Sequence, residues 1–395
     1  MYLNCHSYYS LRYGTLSEIE LLDLAVDFKQ ECIALTDINN TSAGLNFVRR
    51  AKEKNIKPVL GIDFRNGNQQ CYVSLARNNE GYLELNNFLS KHLHDKTNFP
   101  EQAPAFQNAI TIYTFERALE LDKETFAKTE YIGVGINDLN RLRFSKYSTY
   151  KEKLVLLLPV SFVTKKDFNT HRLLRAIDTN TLLSKLPVEE QGSPQERMFP
   201  PEKINALFAD HPYILENTKK LLESCTIDFD FSPGRPSQNL KTVYGNTEKD
   251  FKKLKELCDK GLKERYKTIN DAIITRLKKE LSLIKKQNFV SFFLINWKII
   301  EYARSKNYFY VGRGSGANSI VAYLLRITDV DPIELDLYFE RFMNEYRVNP
   351  PDFDIDFSTW DREDVTAFIF REFSKNGQAA LLGSYVTFQH SGAVR

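Results

Sequence analysis

Tyr308-Phe-Tyr-Val-Gly-Arg-Gly-Ser-Gly-Ala-Asn-Ser-Ile-Val-Ala-Tyr323 is the stretch on which the reading of the chain turns. An aromatic β run leads into glycines at alternate positions (Gly312, Gly314 and Gly316). A helix follows, with Ile320, Val321 and Leu324 as its apolar face. Glycine lets a backbone come close to a ligand, and free N–H groups at a helix start attract anions. Arg313 and Ser315 add a charge and a hydroxyl donor, so the stretch reads as a phosphate cradle. No Gly-Lys-Ser/Thr follows, so it is not a Walker loop, and the spacing is not the GxGxxG of dinucleotide folds. Taken alone, the glycines also suit a bare strand–helix turn.

Downstream lies Pro350-Pro-Asp-Phe-Asp-Ile-Asp-Phe357. On a strand, residues two apart face the same way, so Asp352, Asp354 and Asp356 are expected on one surface, with Phe353, Ile355 and Phe357 in the core behind them. Carboxylates so close repel unless cations neutralise them, and hard oxygen ligands suit magnesium or manganese. A solvated edge strand is the plainer alternative. A triphosphate cradle within one domain's reach of paired carboxylates favours two-metal phosphoryl transfer. Between them, Phe339-Glu-Arg-Phe-Met-Asn-Glu-Tyr-Arg347 offers Arg341 and Arg347 as phosphate partners, unless they pair with Glu340 or Glu345.

The first half of the chain has a different texture. Thr15-Leu-Ser-Glu18 opens a helix with Thr15 or Ser17 as its cap, and Ile19, Leu22, Ala25 and Val26 recur at helical spacing. Cys32 to Thr36 reads as a strand ending at Asp37, Leu45, Val48 and Ala51 as a helix, and Lys57 to Ile62 as the next strand. Such βα units predict a parallel sheet or barrel, with functional groups at strand C-termini, where His6, Asp37 and Asp63 fall. Ser232-Pro-Gly-Arg-Pro-Ser237 reads as a linker between two domains. Beyond it, residues 247–287 hold 13 Lys/Arg against 7 Asp/Glu. They suit either a DNA-backbone surface or the solvated face of amphipathic helices, with Glu256–Lys260 and Glu280 beside Lys279 as surface pairs.

At 395 residues the chain is long for one core, and 42% hydrophobic with 27% charged residues excludes disordered and fibrous classes. A net charge of +3 decides nothing about a nucleic-acid partner. The five scattered cysteines lack a CxxC pair, which argues against a disulfide framework or thiolate zinc site and fits a reducing cytoplasm. No apolar run is long enough for a membrane span, and no leader pattern opens the sequence.

The motifs Gly312-Arg-Gly-Ser-Gly-Ala317, Ile327-Thr-Asp-Val-Asp-Pro332, Phe339-Glu-Arg-Phe-Met-Asn344 and Pro351-Asp-Phe-Asp-Ile-Asp-Phe357 resemble those of the bacterial C-family DNA polymerases, the DNA polymerase III alpha subunits. Met1 to Phe64 resembles that family's opening PHP (polymerase and histidinol phosphatase) domain. The resemblance implies an α/β and α+β chain, with a PHP domain over 1–235 shaped as a distorted βα barrel. Residues 236–395 would be the first portion of a nucleotidyltransferase palm of the polymerase-beta type. It implies that Asp352 and Asp354 are catalytic and bind two magnesium ions, with Asp356 a neighbour. Arg313, Gly314, Ser315 and Arg341 would contact the triphosphate. The implied partners are primer–template DNA, deoxynucleoside triphosphates and replisome subunits such as the sliding clamp, in the cytoplasm and away from membranes.

Two departures from the family pattern carry their own expectations. Where metal-binding PHP relatives show His-x-His, Asp-Gly and Thr-Asp-His, this chain has Asn4-Cys-His6, Tyr13-Gly14 and Thr36-Asp37-Ile38, and Asp63 replaces a glutamate. His6, Asp37 and Asp63 are therefore expected to be hydrogen-bonded structural residues in a degenerate site holding no metal. His92, His94, His171, His211 and His390 do not rebuild the set, and His92 and His94 are expected to be solvated. The family's third catalytic aspartate is expected beyond Arg395, so the chain is read as a fragment that binds DNA weakly and does not polymerise alone; Thr387 to Arg395 resembles a continuing polymerase segment. The alternatives are a PHP-type phosphoesterase using His6, Asp37 and Asp63, an error-prone member of the family, and, for residues 1–235, a scaffold without enzymatic activity.

Overall fold

In the computed structural model, which describes residues 1–232, 239–347, 350–374 and 379–383, the first helix begins at a capping box. Ser17 Oγ accepts from the Glu20 N–H at 3.1 Å, and the Glu20 carboxylate accepts from the Ser17 N–H at 2.7 Å. Thr15 is not the cap; its hydroxyl donates to the Ser161 carbonyl. The buried stripe of this helix is Leu21, Leu22 and Ala25, while Ile19 and Val26, expected on it, are exposed. Residues 233–237 of the expected linker Ser232–Ser237, and the segment 384–395, lie outside the described residues.

The chain divides into two units, Met1–Arg235 and Pro236–Arg395. Unit 1 contains β1 (Tyr2–Cys5), α1 (Glu18–Asp27), β2 (Cys32–Leu35), α2 (Gly44–Glu53), β3 (Lys57–Asn66), β4 (Gln69–Ala76), α3 (Asn79–Asp95) and β5 (Ala109–Thr114). It continues with α4 (Phe115–Glu120), β6 (Glu130–Val134), α5 (Leu139–Phe144), β7 (Leu154–Leu156), β8 (Pro159–Val160), α6 (Lys165–Asp178), α7 (Pro201–Leu207) and α8 (Pro212–Ser224). The strands form one curled half-barrel sheet in the order β7-β6-β5-β4-β3-β2-β1-β8.

This sheet is mixed, not parallel throughout. β1, β2 and β3 run parallel, but β4 pairs antiparallel with both β3 and β5. The cause is local: Asn66-Gly67-Asn68 closes a tight hairpin, with Gly67 at φ +60°, a conformation glycine adopts without strain. Along β3, Leu60, Ile62 and Phe64 enter the larger core while Val59 faces a smaller one, as strand alternation requires. The β1 and β2 ends and the body of β3 bring His6, Asp37 and Asp63 together.

Unit 2 contains α9 (Thr247–Arg265), α10 (Asp271–Lys286), α11 (Val290–Ser305), β9 (Tyr310–Arg313), α12 (Ile320–Leu324), β10 (Asp354–Phe357) and α13 (Thr359–Phe373). α12 is buried along its whole length and packs against α9 and α10. Its apolar neighbours include Leu254, Leu277, Phe293, Phe339 and Phe342. β9 and β10 form an antiparallel ribbon in which Arg313 faces Asp354 and Val311 faces Asp356. Tyr310, Phe353, Ile355 and Phe357 lean on the core, so the expected apolar backing of the acidic stretch is present.

Candidate active site

Directly opposed residues of an antiparallel pair project from the same face. Arg313, Asp354 and Asp356 therefore share the outer face of the ribbon. Arg313 Nε donates to Asp356 Oδ2 at 2.7 Å and Nη1 reaches Asp354 Oδ2 at 3.3 Å. At the ribbon's end the chain turns at Gly314, with φ +73°. A Cβ built there would lie 2.5 Å from Asp354 Oδ2, so glycine is what lets the carboxylate sit against the backbone. The structure thus joins Arg313, Gly314 and Asp354 in one corner, with Ser315 next in the turn Gly314–Asn318.

Two motifs support that corner. Thr328 Oγ1 donates to the Gly312 carbonyl, while Arg265 holds the Thr328 carbonyl and Asp329, and Tyr266 holds Asp331. Ile327 to Pro332 is therefore the backing of β9. Phe353, between Asp352 and Asp354, stacks on Phe292 and packs edge-on against Phe293.

The helix start expected to receive phosphate is occupied. Glu280 of α10, read from the sequence as part of a solvated face, is fully buried. Its Oε1 accepts from Ile320 N at 3.1 Å and Arg276 Nε at 2.7 Å; its Oε2 accepts from Ser319 Oγ at 2.7 Å and Val321 N at 3.3 Å. Ser319 Oγ in turn accepts from Ala322 N. A carboxylate on the first N–H groups satisfies both them and the helix dipole, so α12 has nothing left for an external anion. Burial pushes the Glu280 carboxyl pKa up, against the four donors that favour its charged form. Of the stretch expected to cradle phosphate, this leaves the Gly314–Ser315 turn and Arg313. Lys279 pairs with Glu340, not Glu280, and Lys260 with Glu264, not Glu256.

Asp352 stands apart from the other two acids. It precedes β10, its side chain is 81% exposed, and Arg347 Nη2 lies 3.2 Å from its Oδ1. The three aspartates are thus split between two arginines, and no group of three or more His, Cys, Asp or Glu suited to a metal occurs among the described residues. Arg347 also donates to the Phe342 and Pro350 carbonyls. Glu345, offered above as a partner for it, pairs with Lys286. Arg341 is exposed, on the turn Phe339–Arg341 that packs against Gly314–Asn318.

In unit 1, His6, Asp37 and Asp63 are buried and hydrogen-bonded. Asp37 accepts from the Ser7 N–H and hydroxyl and from the Ser10 hydroxyl at 2.6–2.8 Å. Asp63 Oδ2 meets His6 Nε2 at 3.0 Å and Arg65 Nη2 at 2.8 Å. Burial would raise the Asp63 pKa, but the Arg65 and His6 contacts hold it well below the usual carboxylate range. Sequence reading missed Arg65, Ser161 and Glu196, and weighed His171 only as a metal ligand. His6 Nδ1 contacts Ser161 Oγ, whose proton goes to Glu196, also the acceptor for Tyr13 Oη. His171 accepts from Gly192 N at Nε2, which leaves Nδ1–H for the Tyr13 carbonyl. Apart from Asp63 Oδ1, which is buried without a hydrogen-bond partner among the described residues, these ligand-type atoms are spent on one another. The Arg65 guanidinium on Asp63 Oδ2 already supplies the positive charge a divalent ion would bring; the residues do not fit a metal centre. His92, expected to be solvated, is half-buried against Phe88 and Phe99 and bonds Thr97 Oγ1, while His94 is exposed.

Comparison with known proteins bears on both units. Residues 3–156 match the PHP domain, and residues 252–395 match the bacterial DNA polymerase III alpha NTPase domain. Over 100% of its length the chain is 29% identical to DNA polymerase III subunit alpha of Bacillus subtilis, covering 38% of that protein. It is 28% identical, again over 100%, to the error-prone DNA polymerase of Symbiobacterium thermophilum, covering 40%. The Streptococcus pyogenes serotype M1 DNA polymerase III subunit alpha is 29% identical with 37% covered. The chain therefore spans about two fifths of the length of these relatives.

Proposed function

Since the chain belongs to the bacterial DNA polymerase III alpha family, carrying its PHP and NTPase domains, we propose that it forms the N-terminal region of a DNA-directed DNA polymerase and holds part of the nucleotidyl-transfer site. The observation that carries this reading is the meeting of Asp354 with the Gly314 turn and Arg313. Gly314 and Ser315 would present backbone N–H groups and a hydroxyl to the triphosphate of an incoming deoxynucleotide. Arg313 and Arg341 would balance its charge, with primer–template DNA as co-substrate.

Asp352 and Asp354 would hold magnesium. Their exposed, hard carboxylate oxygens would suit that ion, which would share the charge-balancing place beside them that Arg313 and Arg347 hold. A bound magnesium pair supplies a lowered pKa for the attacking 3′-hydroxyl and charge stabilisation on the leaving oxygens. The chain's own part is to present the two carboxylates from a segment anchored by Phe353, and to keep Arg313 between Asp354 and the phosphates. Because the chain spans about two fifths of its relatives, transfer itself is assigned to the complete protein.

Residues 1–235 are proposed as a scaffold. The mutual pairing of His6, Asp63 and Arg65 supports this over a phosphoesterase, which would need those groups free for a metal and substrate. Stoichiometric zinc or manganese in the purified chain, surviving loss of Asp352 and Asp354, would favour the phosphoesterase instead.

Primer extension by the complete protein tests the polymerase reading. Second-sphere partners of a metal are worth ~10–100-fold, so removing a ligand by Asp354→Ala should lower extension at least a hundredfold. Extension at the wild-type rate would refute the assignment.

A further inference from the structure

Arg276, partly buried, and the fully buried Glu280 lie one turn apart on α10, and the pair touches both segments that carry the expected phosphate contacts. Glu280 ties down Ser319, Ile320 and Val321. Arg276 Nη2 donates to the Asn318 carbonyl at 2.8 Å and to the Leu337 carbonyl at 2.9 Å. From Asn318 the connection continues, because its Nδ2 donates to the Ser315 carbonyl at 2.8 Å. From Leu337 the chain enters the turn Phe339–Arg341, and the Arg276 guanidinium lies over the Phe339 ring. Two residues of one helix thereby fix Ser315 and the base of Arg341 against each other.

We propose that Arg276 and Glu280 are positioning residues of the triphosphate site: they set the Gly314–Asn318 turn and the Phe339–Arg341 turn in register, and they hold the α12 N-terminus so that phosphate is directed to the Gly314–Ser315 turn. The inference rests on the nucleotide reading above. All four partners of Glu280 present hydrogens, so a carboxylate is needed. A glutamine offers one acceptor and turns an NH2 against donors. Arg276 likewise needs its fork, since lysine's single ammonium lacks the planar geometry that serves a carboxylate and two carbonyls at once.

The test uses this chain with Glu280→Gln and Arg276→Lys, at a temperature where thermal melts show each variant folded. Two measurements are made: hydrogen exchange across residues 312–322 and 336–344, and titration with a deoxynucleoside triphosphate and magnesium. Both segments should lose protection together in each folded variant, and triphosphate affinity should fall at least about tenfold, the scale of a sub-ångström misplacement. In primer extension by the complete protein, KM for the nucleotide should rise while kcat stays within about twofold. A purely structural pair would lower the melting temperature and leave the affinity of the folded chain unchanged. Affinity within twofold of wild type in the folded variants, or loss of protection confined to one segment, overturns the proposal. If wild type itself binds no triphosphate, the nucleotide reading falls and takes this one with it.

Discussion

Replacing Arg65 with methionine leaves the Asp63 carboxylate buried, with His6 and Asn4 as its remaining partners. Breaking a buried pair on one side costs about 3–5 kcal/mol. A urea titration of the Arg65→Met chain should show that loss in unit 1. The same contact sets a pH dependence. Its folded pKa lies below the unfolded value of about 3.9, so the stabilisation is complete above about pH 5 and is lost as pH falls through the folded value. Without Arg65 the folded pKa rises, and acid unfolding followed by circular dichroism should begin at a higher pH. An unmoved acid transition would contradict the pairing. His6 and Asp63 were legible as residues following expected strands, although β3 runs on to Asn66 and holds Asp63 within it. Arg65 was not, because a lone arginine on a strand carries no signal of burial; only the fold shows that its charge has somewhere to go. Glu280 is the same case on a helix, its lysine-rich neighbours hiding a buried carboxylate.

The β9–β10 ribbon shows how much of an element a short motif can specify. Alternating glycines, alternating aspartates and the apolar residues between them were enough to anticipate a strand, a turn and a core-facing side. What the period-2 pattern did not show is where the strand begins: β10 starts at Asp354, and Asp352, outside the ladder, turns to Arg347. Nor did it show that the next helix start is already capped from within. Gly314→Ala belongs to this scale. A non-glycine residue at φ +73° costs on the order of 1–2 kcal/mol, and its Cβ would displace Asp354 Oδ2. The variant should stay folded with a modestly lower melting temperature, while its affinity for triphosphate falls disproportionately. A drop in melting temperature with affinity intact would mean that the turn serves the fold alone.

Across the whole molecule, composition and βα alternation were sufficient for a mixed α/β class, but not for strand direction. One two-residue turn after β3 converts an expected parallel sheet into a mixed half-barrel, because antiparallel pairing needs only a hairpin where parallel pairing needs a crossover. No helix among the described residues is long and apolar enough to cross a membrane. Each unit has its own buried core: the first holds a self-paired polar network, and the second backs the corner of carboxylate, guanidinium and glycine turn proposed to take a phosphate. Calorimetric titration of a deoxynucleoside triphosphate into this chain, with and without magnesium, in wild type and Asp354→Asn, tests that corner most directly. One triphosphate should bind per chain, with an affinity weakened at least about tenfold both by omitting magnesium and by the substitution. Binding indifferent to Asp354 and to magnesium, or no binding at all, would contradict it.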